Sequence, residues 1–275
     1  MSKIKQPLVS VIIPSFNQGK YIRETINSCL AQDYRPLEIL VLDGASKDDT
    51  VAVLKSISTP ELHWWSEPDN GVVDAVNKGL RLASGDILTI QSSDDVFLPG
   101  ALSAAVAGFQ SSSNLGLVYG DVELIDENSN LIGVDEQGEF DYSRYLGRFQ
   151  YIPQPGACFT RQAMLSTGEW RSAVSYAADA DYWMRIASQY PVKKLNRRVG
   201  QYRYHDEQRD TQRARIALDW AGAVNDLIGS GVLSDGQRRH AKMGIHLAAY
   251  RYAPADAWQA RTRALYAAMF ANPLA

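Results

Sequence analysis

Residues Val9 to Asn17 read Val-Ser-Val-Ile-Ile-Pro-Ser-Phe-Asn, an apolar, β-branched run that changes abruptly into a polar loop. The run from Leu8 to Ile13 predicts a buried strand that the following proline ends. The next segment, Tyr21 to Gln32, has apolar residues at every fourth position, which predicts an amphipathic helix. A strand followed by a helix is the unit from which parallel sheets are built.

The same alternation continues to about residue 122. Strands are predicted over residues 38–42, 63–66, 87–91 and 117–119, and helices from a capping box at Ser46 and Asp49, over 74–83, and from Pro99 to 109. Beyond that point the pattern weakens, and it predicts a loop or hairpin over 126–141 and short elements at 156–159, 182–187 and 201–204. The chain from residue 211 is helical in pattern, with breaks at 229–231 and Pro254, which predicts a tail of about three helices.

Composition excludes several classes of protein. The chain has 275 residues, of which 45% are hydrophobic and 21% charged, as in ordinary globular proteins. Its net charge of −3 provides no overall attraction to nucleic acid. The two cysteines, Cys29 and Cys158, fit neither a zinc ribbon nor a disulfide framework. Without a signal peptide or an apolar span, the sequence predicts a cytoplasmic protein.

Polar residues follow four of the predicted strands, in the segments 14–17, 43–46, 67–71 and 93–95. Any one of these loops is explained as well by turn formation or helix capping. Because ligands bind at the carboxyl ends of parallel strands, their coincidence predicts one site at that edge. Asp94 and Asp95 are adjacent like charges, for which Mg²⁺ or Mn²⁺ is the natural partner, held partly by substrate phosphates.

The usual phosphate-binding and hydrolytic motifs are missing from the sequence. It has no GxGxxG after a strand, no GxxxxGK[ST], no HExxH and no GxSxG. What remains is metal-assisted handling of a nucleoside diphosphate.

Three segments then resemble glycosyltransferase family 2 in order and spacing: Val9 to Asn17, Glu38 to Thr50, and Ser66 to Asp95 with its Glu-Pro-Asp-Asn-Gly and Asn-Lys-Gly runs. The resemblance covers about Pro7 to His205 and is closest to members that build O-antigen, capsule or exopolysaccharide. It implies an α/β fold of the GT-A type, a Rossmann-like nucleotide-diphospho-sugar transferase fold with a mostly parallel sheet. We expect a catalytic domain over 1–205, with a nucleotide-sugar half (about 7–122) and an acceptor half (about 123–205), and a helical extension over 206–275.

The resemblance also implies roles for the loop residues. Those expected to contact the base, ribose or sugar of the donor are Pro14, Ser15, Phe16, Asn17, Asp43, Asp69, Gly71, Ser93 and Asp94. Asp95 is expected to bind the divalent cation directly. Ser93 stands where the family often has aspartate, a variation that leaves the last carboxylate of the motif in place.

The expected general base is Asp179. The run Ala178 to Arg185 resembles the family's Glu-Asp-x-Asp-Leu-Trp-x-Arg segment, with Ala178 in the place of glutamate. An inverting transfer needs one carboxylate to take the proton of the attacking hydroxyl. The alternative is that the two aspartates cap the helix; for Asp181 this is the favoured interpretation, and acceptor binding is the other.

Four further residues are assigned by resemblance. Arg203 and His205 lie in a Tyr-Arg-x-His segment and are expected at the diphosphate or the cation, with a surface position as the alternative for His205. Gln154 and Arg161 lie where acceptor pockets form in the family, an assignment by fold analogy.

The sequence therefore predicts a metal-dependent, inverting transferase that moves a sugar from a nucleoside diphosphate sugar, UDP-sugar being favoured, to a hydroxyl of a glycan or lipid-linked glycan. The alternatives are a sugar nucleotidyltransferase, although Pro14 to Gly19 lacks an arginine, and a catalytically silent nucleotide-binding partner protein. Nucleic acid is not an expected partner. The helical tail is locally basic, with Arg238, Arg239, Lys242, Arg251, Arg261 and Arg263. A solvated charged face explains this, and the alternative is peripheral contact with the inner face of the cell membrane. The oligomeric state stays open.

Overall fold

The computed structural model of the protein describes residues 6–147, 150–205, 208, 212–252, 260, 262–264 and 267–268. The chain divides into two compact units. The first comprises Met1–Gln137, Pro153–Glu169 and Tyr190–His205, and the second comprises Gly138–Ile152, Trp170–Gln189 and Asp206–Ala275.

Within the described residues, the first unit contains one sheet of nine strands: β1 (Val9–Ser15), β2 (Leu37–Asp43), β3 (Leu62–Ser66), β4 (Ile87–Ile90), β5 (Val96–Phe97), β6 (Leu117–Ile125), β7 (Leu131–Asp135), β8 (Cys158–Thr160) and β9 (Val192–Arg203). The strand order is β3-β2-β1-β4-β8-β6-β9-β5, and β7 pairs with β6 as a hairpin. The pairs β2–β3, β1–β2, β1–β4 and β6–β9 are parallel. The predicted α/β class is thereby confirmed.

The helices are α1 (Ile22–Leu30), α2 (Thr50–Lys55), α3 (Val72–Leu82), α4 (Ala101–Gln110), α5 (Tyr142–Leu146), α6 (Arg161–Thr167), α7 (Ala178–Ala187), α8 (Arg213–Gly229) and α9 (Asp235–Tyr252). In the first unit, α1 and α4 contribute to a buried core with β1 and β2. Helix α3 packs closely against β1 at Gly79. A Cβ atom at this position would lie only 2.3 Å from Cγ2 of Ile12, so a larger residue would not fit.

Two local predictions are wrong. Strand β1 continues through Pro14, which pairs in register with Leu42 of β2. Pairing of β1 with β4 ends at Ile12, so the missing N–H of the proline interrupts no bond on that side. Ser46 and Asp49 do not form a capping box: α2 begins at Thr50 without a side-chain cap from Asp49, and the hydroxyl of Ser46 donates to Asp43 instead.

Strands β6 and β9 are longer than the apolar pattern predicts. They pair in parallel over most of their length, and oppositely charged side chains of the two strands form ion pairs. Lys194 lies 3.0 Å from Asp121, and Arg198 lies 3.3 Å from Glu123. Because each partner compensates the charge of the other, these strands can contain charged residues, and their full length is therefore not visible as an apolar run in the sequence.

The second unit contains α5, a 3₁₀ helix over Ser172–Ala177, and α7 to α9. The ring of Tyr145 in α5 packs at a tilt of 59° against that of Trp220 in α8, with ring centroids 5.7 Å apart. The two described tail helices therefore share a unit with segments that precede residue 205. The predicted third helix, after Pro254, lies largely outside the described residues. In the described part of the chain, no helix combines the length and the apolar character that crossing a bilayer requires.

Candidate functional site

A hydrogen-bonded network joins the carboxyl ends of β1, β2 and β3. Asp43 ends β2 and is 2% exposed. Its carboxylate accepts from the backbone N–H of Ser46 at 3.0 Å and from the hydroxyl of Ser66 at 2.6 Å. The N–H of Asn17, after β1, donates to Oγ of Ser46 at 2.7 Å. Asn17 and Ala45 have positive φ angles of 53° and 60°, which the tight approach of the two loops requires.

Beside this network lies a cavity of about 200 Å³. Asp43 and Asp69 line it together with two cations, Lys78 and Arg81. Asp69 Oδ1 accepts from the N–H of Gly71 at 2.8 Å, and Gly71 has a φ of 97° that favours glycine. Glu67 and Asp74 also line the cavity, and the two cations are paired, Lys78 with Glu67 and Arg81 with Glu169 at 2.8 Å, so the lining is polar and rich in carboxylate acceptors.

Two other residues predicted at this edge are Ser15, the last residue of β1, and Phe16, which follows it. Ser15 is buried, and Phe16 is 58% exposed, an unusual state for a phenylalanine next to a buried strand. An exposed ring beside polar acceptors is suited to stacking on a planar ligand.

The loop after β4 carries Ser93, Asp94 and Asp95. A threonine of α1 holds its backbone. Oγ1 of Thr25 lies 2.9 Å and 2.8 Å from the carbonyl oxygens of Ser93 and Asp95. Asp95 is 2% exposed, and its Oδ1 accepts from the backbone N–H of Arg203 at 2.9 Å. Burial, and after it the charge of Asp94, raises the pKa of Asp95 well above its ordinary value. A cation at this loop would relieve both effects.

His205 completes this group. Its Nε2 lies 2.9 Å from Oδ2 of Asp94, and its side chain is 6% exposed. Among the residues that the structure describes, no three His, Cys, Asp or Glu side chains form a complete metal site. The carboxylate oxygens of Asp94 and Asp95 are nevertheless the ligand type of Mg²⁺ and Mn²⁺, ions that often take only one or two protein carboxylates and complete their shell with phosphate oxygens.

The guanidinium of Arg203 contacts the backbone of the Asp94–Asp95 loop. The residue is fully buried, and its Nε donates to the carbonyl of Asp94 at 2.7 Å. Its Nη1 donates to the carbonyl of Asp126 at 3.1 Å and to Oγ of Ser129 at 2.9 Å, and its Nη2 to Glu24 at 2.7 Å. These contacts favour support of the loop over the expected contact with a diphosphate.

The two acceptor residues predicted in the first unit lie at opposite ends of β4. Nε2 of Gln154 is 3.3 Å from Oγ of Ser92, next to the Asp94–Asp95 loop. Arg161 instead donates to the carbonyls of Ala83 and Gly85, both at 2.7 Å, at the start of β4. Those bonds give Arg161 a structural function at the end of α3, away from the polar edge.

Asp179 and Asp181 lie in the first turn of α7, in the second unit. Asp181 is 1% exposed and accepts from Arg171 and from Arg185, at 3.1 Å and 2.9 Å for the two Nε atoms. The N-cap position of α7 is Ala177, without a side-chain cap, so neither aspartate is the capping residue. Asp181 is thus the centre of an ion-pair network.

Sequence analysis missed the supporting residues on α1 and in the β6–β7 turn. Tyr21 packs between two predicted site residues, its ring centroid 4.8 Å from Cζ of Arg203 and 5.2 Å from the ring of His205. Thr25 carried the one available signal, since it is a polar residue on the buried face of α1 between Ile22 and Ile26. Glu24 and Ser129 had no signal, because their partners are distant in sequence.

Comparisons with known proteins show what the sequence of the chain is similar to. The family model described as glycosyl transferase family 2 matches residues 10–168. Chondroitin synthase of Escherichia coli is 30% identical over 193 residues, covering 70% of this chain, which spans only 28% of that relative's length. An uncharacterized glycosyltransferase of Mycobacterium tuberculosis is 33% identical over 186 residues, covering 66% of this chain and 69% of the relative.

Two solved structures share the fold at low sequence identity. TarS 1–349 of S. aureus in complex with UDP-GlcNAc has a TM-score of 0.74 at 15% identity and covers 96% of this chain and 81% of its own. The mannosyltransferase PcManGT of Pyrobaculum calidifontis, in complex with GDP-Man and Mn²⁺, has a TM-score of 0.68 at 22% identity and covers 98% of this chain and 74% of its own.

Proposed function

The chain belongs to glycosyltransferase family 2 and has the GT-A fold, and on that premise we propose that it is an inverting, metal-dependent glycosyltransferase. The proposed reaction moves a sugar from a nucleoside diphosphate sugar to a hydroxyl of a glycan or lipid-linked glycan, in the synthesis of a surface polysaccharide.

One observation carries this proposal. The network around Asp43 lies at the carboxyl end of β2, and the Asp94–Asp95 loop follows β4. Both strands are direct neighbours of β1 in the sheet. With strands about 4.8 Å apart, the two groups lie on the order of 10 Å from each other along one edge. A nucleoside and its diphosphate can bridge such a distance, with the base at Asp43 and Asp69 and the diphosphate at Asp94 and Asp95.

We assign the cation to Asp95, with Asp94 and His205 beside it. When bound, Mn²⁺ or Mg²⁺ would offset the charge that develops on the diphosphate leaving group. The chain's own residues would orient the donor: the end of β1 with the two residues after it (14–17) and Asp43 hold the base and ribose, and Asp69 with Gly71 forms the adjoining wall.

Asp179 is the proposed general base. The acceptor oxygen forms its bond to the anomeric carbon while the bond from that carbon to the diphosphate oxygen breaks, and the hydroxyl proton passes to the carboxylate of Asp179. Attack from the face opposite the diphosphate inverts the anomeric configuration. Support for this role comes from the family-like motif around Asp179, and Gln154 is the residue retained for acceptor binding.

UDP is the favoured donor nucleotide. TarS is known in complex with UDP-GlcNAc and PcManGT in complex with GDP-Man and Mn²⁺, so the fold accommodates both bases. Calorimetric titration with UDP, GDP, dTDP and CDP, each with and without Mn²⁺, tests the proposal. We expect Mn²⁺ to strengthen binding of UDP most.

The variant Asp95→Asn should lose the Mn²⁺ effect, and Asp33→Asn, an exposed aspartate of the same unit, should keep it. If Mn²⁺ strengthens the binding of none of the four nucleotides, the proposed donor site is wrong.

A further inference from the structure

We infer that Arg203 is a positioning residue that holds the Asp94–Asp95 loop in the conformation that receives the cation and the diphosphate. This inference rests on the proposed function of that loop. It differs from the expectation that Arg203 contacts the diphosphate, because it assigns the residue an action through the loop.

The contacts of Arg203 divide into two sets. On the loop side, the backbone N–H donates to the side chain of Asp95 at 2.9 Å and Nε donates to the carbonyl of Asp94 at 2.7 Å. One residue therefore fixes both the backbone of the first aspartate and the carboxylate of the second. A shift of the Asp94 backbone or a rotation of the Asp95 side chain would break a bond to a buried donor, which is costly in the protein interior.

On the far side, the guanidinium is anchored to groups that do not belong to the loop. Nη2 pairs with Glu24 of α1 at 2.7 Å, and Nη1 donates to Ser129, whose hydroxyl lies 3.0 Å from both carboxylate oxygens of Glu24. The ring of Tyr21 packs against the guanidinium at 4.8 Å. The planar fork of an arginine suits this arrangement, since it donates in fixed directions to several acceptors at once.

A simpler function would be that of a counter-ion, with Arg203 merely neutralising two adjacent carboxylates. The two functions predict opposite effects on cation binding. If Arg203 is only a positive charge, its removal would eliminate a competitor of the cation, and Mn²⁺ would bind more tightly. If Arg203 positions the loop, its removal would weaken Mn²⁺ binding, and a lysine would not restore it because a lysine lacks the fork.

The test uses the variants Arg203→Lys, Arg203→Met and Glu24→Gln, with Arg198→Lys as the matched control. Arg198 lies on the same strand and pairs with a glutamate, but its side chain is 44% exposed and contacts β6. Glu24→Gln changes a side chain that is 43% exposed, so this variant should fold even if replacement of the buried arginine prevents folding.

The first measurement is hydrogen exchange of the protein without ligand. We expect faster exchange in residues 92–97 for Arg203→Lys and Glu24→Gln, and wild-type exchange in β1 and β2. Wild-type exchange of residues 92–97 in both variants would overturn the inference. Because no ligand is present, this result is decisive even if the proposed function fails.

The second measurement is the Mn²⁺-dependent affinity for UDP by calorimetry. We expect Arg203→Lys and Arg203→Met to lose about tenfold or more, the usual effect of removing a partner that orients a metal ligand. Glu24→Gln should show a smaller loss, and Arg198→Lys none. Tighter Mn²⁺ binding by Arg203→Met would establish the counter-ion function and overturn positioning. Failure of the wild type to bind UDP with Mn²⁺ would count against the proposed function alone.

Discussion

Nε2 of His205 lies 2.9 Å from Oδ2 of Asp94, although 111 residues separate them in the sequence. His205 follows the end of β9 and Asp94 follows the end of β4, so the sheet brings two chain segments together at one point. The ring of Tyr21, centred 5.2 Å from that of His205, supports the imidazole from the side. This pair therefore lies at the loop where the cation is proposed to bind.

We predict that His205→Ala weakens the Mn²⁺-dependent binding of UDP by about tenfold, because the cation loses a nitrogen ligand or the carboxylate of Asp94 loses its partner. Isothermal titration calorimetry measures the effect. His63→Ala, at an exposed position of β3, is the control and should bind like the wild type. Equal affinities of the His205 variant and the wild type in Mn²⁺ would remove His205 from the cation site.

We predict that Asp179→Asn lowers the transfer rate by about 10²- to 10⁴-fold, the usual contribution of a general base, and leaves nucleotide affinity unchanged. Release of the nucleoside diphosphate in the presence of acceptor measures transfer, and calorimetry measures binding. Asp235→Asn on α9, where the side chain is 91% exposed, is the control. Transfer at the wild-type rate would show that another group accepts the proton.

We predict that Asp181→Ala lowers the free energy of unfolding by about 1–3 kcal/mol, because Arg171 and Arg185, whose side chains are 32% and 18% exposed, would lose a buried counter-charge. Urea denaturation followed by tryptophan fluorescence measures the loss. Asp226→Ala is a matched control, since Asp226 also pairs with Arg171, at 2.7 Å, but its side chain is 65% exposed. That surface pair should contribute about 0–1 kcal/mol. Similar losses in the two variants would contradict the buried network as the source of stability.

We predict a pH-dependent contribution of Glu38 to stability. Burial acts to raise the pKa of Glu38, but hydrogen bonds from Ser10, Ser84 and Gly85 outweigh it and hold the pKa below 4.5. A lowered pKa in the folded state stabilises the protein above the unfolded value, and this stability is lost as the pH falls through the folded value.

Glu38→Gln should therefore unfold more easily than the wild type at pH 7, by on the order of 1 kcal/mol, and the difference should vanish as the pH falls well below 4.5. Urea denaturation at a series of pH values measures it. A difference that stays constant from pH 7 to pH 3 would mean that the charge of Glu38 is not what stabilises the fold.

Much of the fold follows from local pattern. The apolar runs of β1 and β2 and the helical spacing of α1 predict the parallel half of the sheet, because side-chain periodicity is a property of neighbouring residues. The pattern fails at β6 and β9, where Asp121 and Lys194 compensate each other's charge across strands that lie far apart in the sequence.

The sequence by itself determined the family, the α/β fold and the polar loops that end β1, β2 and β4. It did so because those loops follow their strands directly, so that strand order alone brings them to one edge. Only the tertiary structure decided which groups the two arginines contact. Arg203 is buried against Glu24, 179 residues away, and Arg161 binds carbonyls at the start of β4. The reason is that a charged side chain is positioned by the acceptors that compensate its desolvation, and packing alone determines which acceptors those are.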